Sequence, residues 1–518
     1  MSNITPTITL NETETKITDL LKQYTNYYNS NANTKQPIVL RITGGWVRDK
    51  LLGHECHDID IGIDHLSGVD FAEGLKEYVE KSGNTEALKG SIYKIEKNPD
   101  KSKHLETCTT KIYGFDIDFV NLRSESYTEE SRIPSIEVGT PEEDALRRDA
   151  TLNALFYNLS TMEVEDLTSR GLQDLKDGIL RTPLEPEKTF LDDPLRCLRL
   201  IRFASNYNFK IEENTKKSMS TIEIKKAAST KVSRERVGVE LKKLLMGSNP
   251  LYGLQLILDT KFYDVIFSFG DKQEEIFNKN ANQIEILNEN LTNNLKKSME
   301  DTLNITPIIE SKVKSKYPDF YNEYSKDILT NENFIMGKSL SLILNHWNGI
   351  KVNCPKPKAA VSIIVLEGIK LPLKLADLIN SITSNSTKYI ENLIKFNNDA
   401  SSFKRSDIAH SFVLPYGNHW LLNLFECMSI EIFRNENDKM HDIIDKYYSI
   451  YQKILQLKLD KVYLDKLLVD GKSVLQIFGR KPGPWIKPVN DQIFDWQLNH
   501  PEATRDECIE YIKTIQIE

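Results

Sequence analysis

The chain has no Cys-x-x-Cys pair, no apolar run long enough to span a bilayer, and no arginine before Arg41. Each absence closes a door. Its six cysteines, Cys56, Cys108, Cys197, Cys354, Cys427 and Cys508, stand singly, which indicates neither a disulfide framework nor a cysteine zinc site. They read as free thiols. The missing bilayer-length run and secretory pattern give the expectation of a soluble, intracellular protein with no membrane partner. A mitochondrial transit peptide is Arg-rich and poor in acids, whereas residues 1–36 lack arginine and contain Glu12, Glu14 and Asp19. The expected location is cytoplasmic and nuclear, with a mitochondrial pool left to an alternative start. No segment marks a stable protein partner.

A formal net charge of -8 argues against wholesale nonspecific coating of nucleic acid but permits a local basic surface. The length of 518 residues sets a prior of roughly three domains.

What is present begins at Gly44. A hydrophobic run from Ile38 to Ile42 predicts a buried strand, Gly44-Gly45 a turn, and Trp46 to Leu52 a short helix closed by Gly53. Backbone amides at such a helix start can face an anion. In Asp58-Ile59-Asp60-Ile61-Gly62-Ile63 a period of two puts the isoleucines on one strand face and Asp58 and Asp60 on the other. Two carboxylates so close repel unless a cation sits between them, and hard oxygen ligands suit magnesium carrying nucleotide phosphates. Phosphoryl transfer follows as the chemistry. The competing reading is a glycine turn before an acidic edge strand, which is commoner for an isolated Asp-x-Asp.

Phe115 to Val120 alternates in the same way, placing Asp116 and Asp118 on one face and offering a third carboxylate. Thr140-Pro141-Glu142-Glu143 predicts a capped helix start leading to Arg147, Arg148 and Asp149. These arginines are either solvated charges or a clamp on a triphosphate, with Asp149 accepting from a ribose hydroxyl.

Asp193-Pro194-Leu195-Arg196 opens another helix, where the plain reading is a local cap and ion pair. The functional reading comes from base chemistry. Cytosine and adenine each show an amino donor beside an acceptor, so one Asp and one Arg serve both. Uracil and guanine present a carbonyl to the Asp instead, at a cost of about 1–3 kcal/mol. The pair is expected to select C and A. Lys216, Lys217, Lys225, Lys226, Lys231, Arg234, Arg236, Lys242 and Lys243 form the densest basic region, either a solvated face or a track for an RNA backbone. Residues 479–485 and 496–501 bring a basic turn and two tryptophans that either touch RNA or dock the last helix.

Five ordered motifs together resemble the class II tRNA nucleotidyltransferases, the CCA-adding enzymes of the DNA polymerase beta superfamily, in a yeast-like version. They are Gly44-Gly45-x-Val47-Arg48-Asp49 with Asp58-Ile59-Asp60, Arg147-Arg148-Asp149-x-Thr151, Asp174-x-x-x-Gly178-x-x-Arg181, Asp193-Pro194-Leu195-Arg196, and Arg234 to Leu245. One departure is Asp192-Asp193 where many bacterial members have Glu-Asp.

The resemblance implies an α+β fold: a nucleotidyltransferase head with a mixed sheet and helices, then an all-α neck, body and tail. The corresponding division is an arm at 1–36 expected to be mobile, a head at 37–183, a neck at 184–270, a body at 271–400 and a tail at 401–518. It further implies Mg2+ on Asp58 and Asp60, with Asp118 as an extra catalytic carboxylate. Gly44, Gly45, Arg48, Arg147, Arg148 and Asp149 would take the triphosphate and ribose, and Asp193 with Arg196 the base. Residues 96–113 resemble the family's flexible loop, which favours complete CCA addition. The implied partners are the tRNA 3' end, CTP and ATP. Two readings compete: a bacterial-type poly(A) polymerase, and a non-catalytic tRNA-binding protein on the same fold.

Overall fold

The computed structural model describes residues 7–31, 37–88, 93–95, 107–128, 131–435 and 439–516. The chain divides into two compact units, Met1–Val265 and Ile266–Glu518.

Within the segment expected to be a mobile arm, where Ile17, Leu20, Leu21 and Tyr24 stand at amphipathic-helix spacing, residues 12–31 form α1 (Glu12–Asn31). Asn11 and Glu14 cap it reciprocally: the Asn11 side chain accepts from the Glu14 amide at 2.9 Å, and the Glu14 carboxylate accepts from the Asn11 amide at 2.8 Å. Ile17, Leu20, Leu21 and Tyr24 make a buried stripe, and Tyr24 meets Phe71 edge-on at 5.0 Å. Burial of that stripe outweighs the weak helix propensity of a Thr- and Asn-rich sequence.

The first unit is built on a seven-stranded mixed sheet. Its strands are β1 (Leu40–Thr43), β2 (Ile59–Ile63), β3 (Tyr93–Ile95), β4 (Thr107–Ile112) and β5 (Phe115–Asn121), with β8 (Leu155–Asn158) and β9 (Glu163–Asp166) after the separate hairpin β6 (Arg123–Thr128) and β7 (Ser131–Val138). The order across the sheet is β3-β4-β5-β2-β1-β8-β9. Of these contacts, β2 to β5 is parallel and the others are antiparallel. Ile59, Ile61 and Ile63 are all buried, so the apolar face of β2 is core and the acidic face is turned from it.

Helix α2 (Gly45–Leu51) follows β1, and α3 (Gly68–Ser82) follows β2. The capping box expected at Thr140 is present and starts α4 (Pro141–Leu146). Then come α5 (Gly171–Asp177), α6 (Pro186–Asp192), α7 (Leu195–Tyr207), α8 (Glu213–Met219), α9 (Ile222–Lys231) and α10 (Arg234–Leu245).

A buried ion pair ties α1 to α2. Lys50 Nζ lies 2.6 Å from Glu14 Oε2, with side chains 12% and 1% exposed. Removing the cation strands a carboxylate in the interior. Lys50→Met is therefore expected to destabilise the first unit by about 3 kcal/mol in urea unfolding, with a milder loss for Glu14→Gln.

The second unit is helical among its described residues apart from the hairpin of Lys351–Cys354 and Lys356–Ala359. Helix Trp420–Phe433 runs through its core, buried over nearly its whole length. Tyr324 stacks on Phe425 at 3.7 Å and donates to Glu426 at 3.0 Å. Burial raises Glu426 to about 8. Trp485 donates to the Lys481 carbonyl at 3.0 Å and meets Phe478 edge-on, while Trp496 lies between His500 and Tyr511 in stacked contacts at 4.5 and 5.0 Å. Both tryptophans pack on the core of Val469, Val474, Val489 and Ile493, which favours the docking reading of this region. All six cysteines are free thiols, and no described helix is long and apolar enough to cross a membrane.

Candidate active site

Sheet register assembles the acidic centre. On the parallel pair, Asp60 of β2 lies directly across from Asp118 of β5, and Asp58 stands just before β2. One carboxylate oxygen from each of Asp58, Asp60 and Asp118 can be chosen so that all lie within 4.8 Å of one another. Asp118 is steadied by Thr109 Oγ1, which donates at 2.5 Å from the neighbouring strand β4.

Burial, then the charges of Asp58 and Asp118, raise the Asp60 carboxyl to about 6. Arg148 and Arg123 pull it back only in part. Such a site is short of positive charge. Three clustered carboxylates, one forced toward its neutral form, are the hard-oxygen donor set that a divalent cation fits.

Gly44 turns the chain from β1 into α2 at φ 74°, a left-handed value that L side chains rarely adopt. Space is tight as well, and the arginine ends would have to give by a few tenths of an ångström. A Cβ on Gly44 would sit 3.2 Å from Arg148 Nη1 and 4.0 Å from Asp60 Oδ2, and one on Gly45 would sit 3.2 Å from Arg48 Nη2. The glycine turn, Arg148 and the acidic centre thus meet at one place.

The arginine pair separates. Arg148 bonds Asp144 through Nε at 3.0 Å and Nη2 at 2.7 Å, while Nη1 lies against Gly44 and donates to the Asn153 carbonyl at 3.5 Å. Arg147 also bonds Asp144, but its Nη1 turns to Glu125 at 2.9 Å. Burial works against the Asp144 charge, yet Arg148 and Arg147 hold its carboxyl down to about 2. Neither arginine is a solvated charge.

Arg48 and Asp149 are more deeply engaged than the motif implied. Arg48 gives Nε and Nη2 to Asp49 and Nη1 to Asn153. Asp149 accepts from Asn153 at 2.9 Å and from Arg199 at 2.6 Å. Against its burial, Arg199 and Asn153 hold Asp149 at about 2.

Asp193 and Arg196 flank the junction of α6 and α7, where the expected local cap by Asp193 is present but its side-chain ion pair is made with Arg236. Asp193 accepts from the Leu195 amide at 3.2 Å and from Arg236 Nη2 of α10 at 2.8 Å. Arg196 is buried, with Nη2 3.7 Å from Glu125 and Nη1 3.5 Å from the Thr189 carbonyl. Sequence reasoning missed Glu125, Asn153, Arg199 and Arg236 as members of this network. The spacing of Arg196, Arg199 and Arg202 on one helix was the available signal for Arg199.

The basic region is partly neutralised. Lys216 pairs with Asp259 at 2.7 Å and Lys225 with Asp264 at 2.9 Å, while buried Arg234 donates to the Val265 carbonyl. Lys217, Lys226 and Lys243 carry no ion pair among the described residues. Residues 96–106, most of the segment compared with a flexible loop, lie outside those described.

A mixed sheet with a glycine turn, an Asp-x-Asp strand and a third aspartate in register defines a nucleotidyltransferase head. Residues 40–181 match the family described as Poly A polymerase head domain, and residues 208–273 that described as Probable RNA and SrmB- binding site of polymerase A. The sequence is 43% identical to the mitochondrial CCA tRNA nucleotidyltransferase of Saccharomyces cerevisiae, over 98% of this chain and 94% of that one. With tRNA nucleotidyltransferase cca2 of Schizosaccharomyces pombe it shares 33% identity over 98% and 99%. The chain belongs to the CCA tRNA nucleotidyltransferase family. In fold it is similar to the Thermotoga maritima CCA-adding enzyme complexed with tRNA(CCA), with a TM-score of 0.59 and 19% identity over 97% of this chain and 95% of that one.

Proposed function

We propose that this chain adds C, C and A to the 3' end of tRNA from CTP and ATP, without a nucleic-acid template and with release of pyrophosphate. One observation carries the reading: the carboxylates of Asp58, Asp60 and Asp118 converge beside the Gly44 turn under Arg148, in a chain related to CCA-adding enzymes from end to end.

In this reading Asp58 and Asp60 hold Mg2+, with Asp118 completing the acidic centre. Bound there, magnesium would favour the 3'-alkoxide of tRNA and neutralise charge on the departing pyrophosphate. The Gly44-Gly45 turn and Arg148 face the triphosphate. Arg147 and Asp144 hold Arg148 in place, and Arg48 and Asp149 bind nucleotide from within their own ion-pair network. Asp193 accepts from the amino group of cytosine or adenine, and Arg196 donates to the adjoining acceptor.

The proposed organisation keeps a head to about residue 183, a neck to about 270, and a body and tail beyond, with Lys217, Lys226 and Lys243 available to an RNA backbone. The name of the S. cerevisiae relative supports a mitochondrial pool beside cytoplasmic and nuclear ones.

The test supplies purified protein, magnesium and tRNA ending at its discriminator base, with CTP and ATP singly and together. CMP incorporation with CTP alone and a full CCA end with both nucleotides are expected. Addition of AMP alone would point to a poly(A) polymerase, and tRNA binding without incorporation would end the enzymatic reading.

A further inference from the structure

Helix α7 carries more than the base-reading arginine. Arg196, Arg199, Phe203 and Tyr207 are spaced by three, four and four residues, so they line one face of the helix over about 16 Å. The near end of that stripe belongs to the proposed base site. The far end has no role in the reading so far.

Tyr207 Oη donates to Asp49 Oδ1 at 2.8 Å. Asp49 accepts Arg48 Nε and Nη2 at 2.9 and 3.0 Å. Arg48 Nη1 bonds Asn153 Oδ1, Asn153 Nδ2 donates to Asp149 Oδ1 at 2.9 Å, and Asp149 Oδ2 accepts Arg199 Nε at 2.6 Å. The path leaves α7 at Tyr207 and returns to it at Arg199, passing through α2 and the Arg-Arg-Asp segment. It is a closed ring.

Phe203 fills the middle. The guanidinium carbons of Arg48, Arg199 and Arg202 lie 5.2, 5.5 and 4.2 Å from its ring centre, and Arg48 also sits 4.7 Å from that of Tyr207. Arg48 is therefore held on its edge by carboxylate and amide and on its face by two aromatic rings. Burial first, assisted by Asp49, pushes the Tyr207 phenol up to about 12, so it remains a donor throughout the neutral range.

We propose that Tyr207, through Asp49, is a positioning residue that sets the separation between the base site on α7 and the phosphate cradle at the start of α2. The inference rests on the proposed function, because it needs one nucleotide to engage both places. A nucleotide gains from two half-sites only when their spacing matches its own length. The second contact is then made at high effective concentration. With Tyr207 released, each half-site survives and their cooperation fades. Packing alone would predict a different result, since loss of packing weakens the fold without separating the two ends of the ligand.

The test is Tyr207→Phe, which removes one oxygen and keeps the ring stacked. Equilibrium dialysis with magnesium compares CTP, tripolyphosphate and cytidine. CTP affinity is expected to fall about tenfold, tripolyphosphate and cytidine to hold within about twofold, and KM for CTP and ATP to rise while kcat holds. Asp49→Ala should weaken CTP at least as much, because it also releases Arg48, and adding Tyr207→Phe to it should cost less than about twofold more, since the phenol then has no acceptor left to lose. Unchanged CTP affinity, an equal loss for tripolyphosphate, or full additivity in the double variant would each overturn the positioning role. A wild-type protein that binds no CTP, or binds it and transfers nothing, counts against the proposed function. The dialysis pattern still judges the positioning role when CTP binds without transfer.

Discussion

Asp60→Asn is expected to lower nucleotide transfer at least about a thousandfold while leaving tRNA affinity within about twofold. The change keeps the shape of the side chain and removes the charge at the centre of the three aspartates. Primer extension on tRNA lacking its CCA end, beside filter binding of the same tRNA, measures both quantities. Retained transfer would show that the acidic centre is not where the chemistry occurs.

The same substitution carries a pH signature of opposite sign. Burial and two neighbouring carboxylates raise Asp60 from 3.8 to about 6, so the metal-free fold favours its protonated form. Between those values the fold holds a proton that the unfolded chain has released, and stability from this group falls as pH rises. Above about pH 6 the penalty is complete, on the order of 3 kcal/mol. Asp60→Asn cannot ionise. Without divalent metal it should therefore be more stable than wild type at pH 7.5 and indistinguishable near pH 4. Asp144 and Asp149, held at about 2 by their arginines, act the other way: they stabilise above 3.8 and lose that contribution as pH falls toward 2. Thermal melts in chelator separate the two windows.

Asp193→Ala is expected to admit UTP and GTP and to lower use of CTP and ATP by about a hundredfold. On the proposed reading the wild-type carboxylate accepts from an amino group, and a carbonyl in that place would leave it facing another acceptor. Alanine removes both the attraction and the objection. In the structure Arg236 holds this carboxylate, so Asp193→Ala also leaves a guanidinium without its partner, and Asp193→Asn separates lost charge from lost acceptor. Competition of the four nucleotides on one tRNA measures the ratio directly. Continued exclusion of UTP would show that the pocket chooses by shape and not by hydrogen bonding.

Much of this site is local enough to be read from the chain. Asp58 and Asp60 are two residues apart, and a strand period alone puts them on one face. Gly44 at positive φ follows from a glycine pair between an apolar run and a helix. Asp118 is different: alternation puts it on the same face as Asp116, and only the pairing of β5 with β2 decides which of the two meets Asp60. Arg147 and Arg148 adjoin in sequence and share Asp144, yet Glu125 from the hairpin draws one aside while the other lies against Gly44.

Long-range ion pairs were the least legible part. Arg236 lies among many basic residues, and nothing in that composition singles it out as the partner of Asp193. Nor does composition reveal that α1 docks, because its polar residues outnumber the buried stripe. The buried link from Glu14 to Lys50 depends on α2 already lying in place.

The parallel register of β2 and β5 has a consequence for quality control during synthesis. Asp60 and Asp118 come together only when two distant segments pair in one alignment, and a slip of a single residue turns Asp118 into the apolar core and sets Ile117 or Phe119 opposite Asp60. A chain with the wrong alignment would turn Asp116 and Asp118 together to the other face and take the third carboxylate out of the acidic centre in the same event. On the proposed reading, divalent-ion binding would therefore report whether the central sheet has been threaded correctly, and a mispaired copy would be unable to transfer nucleotides.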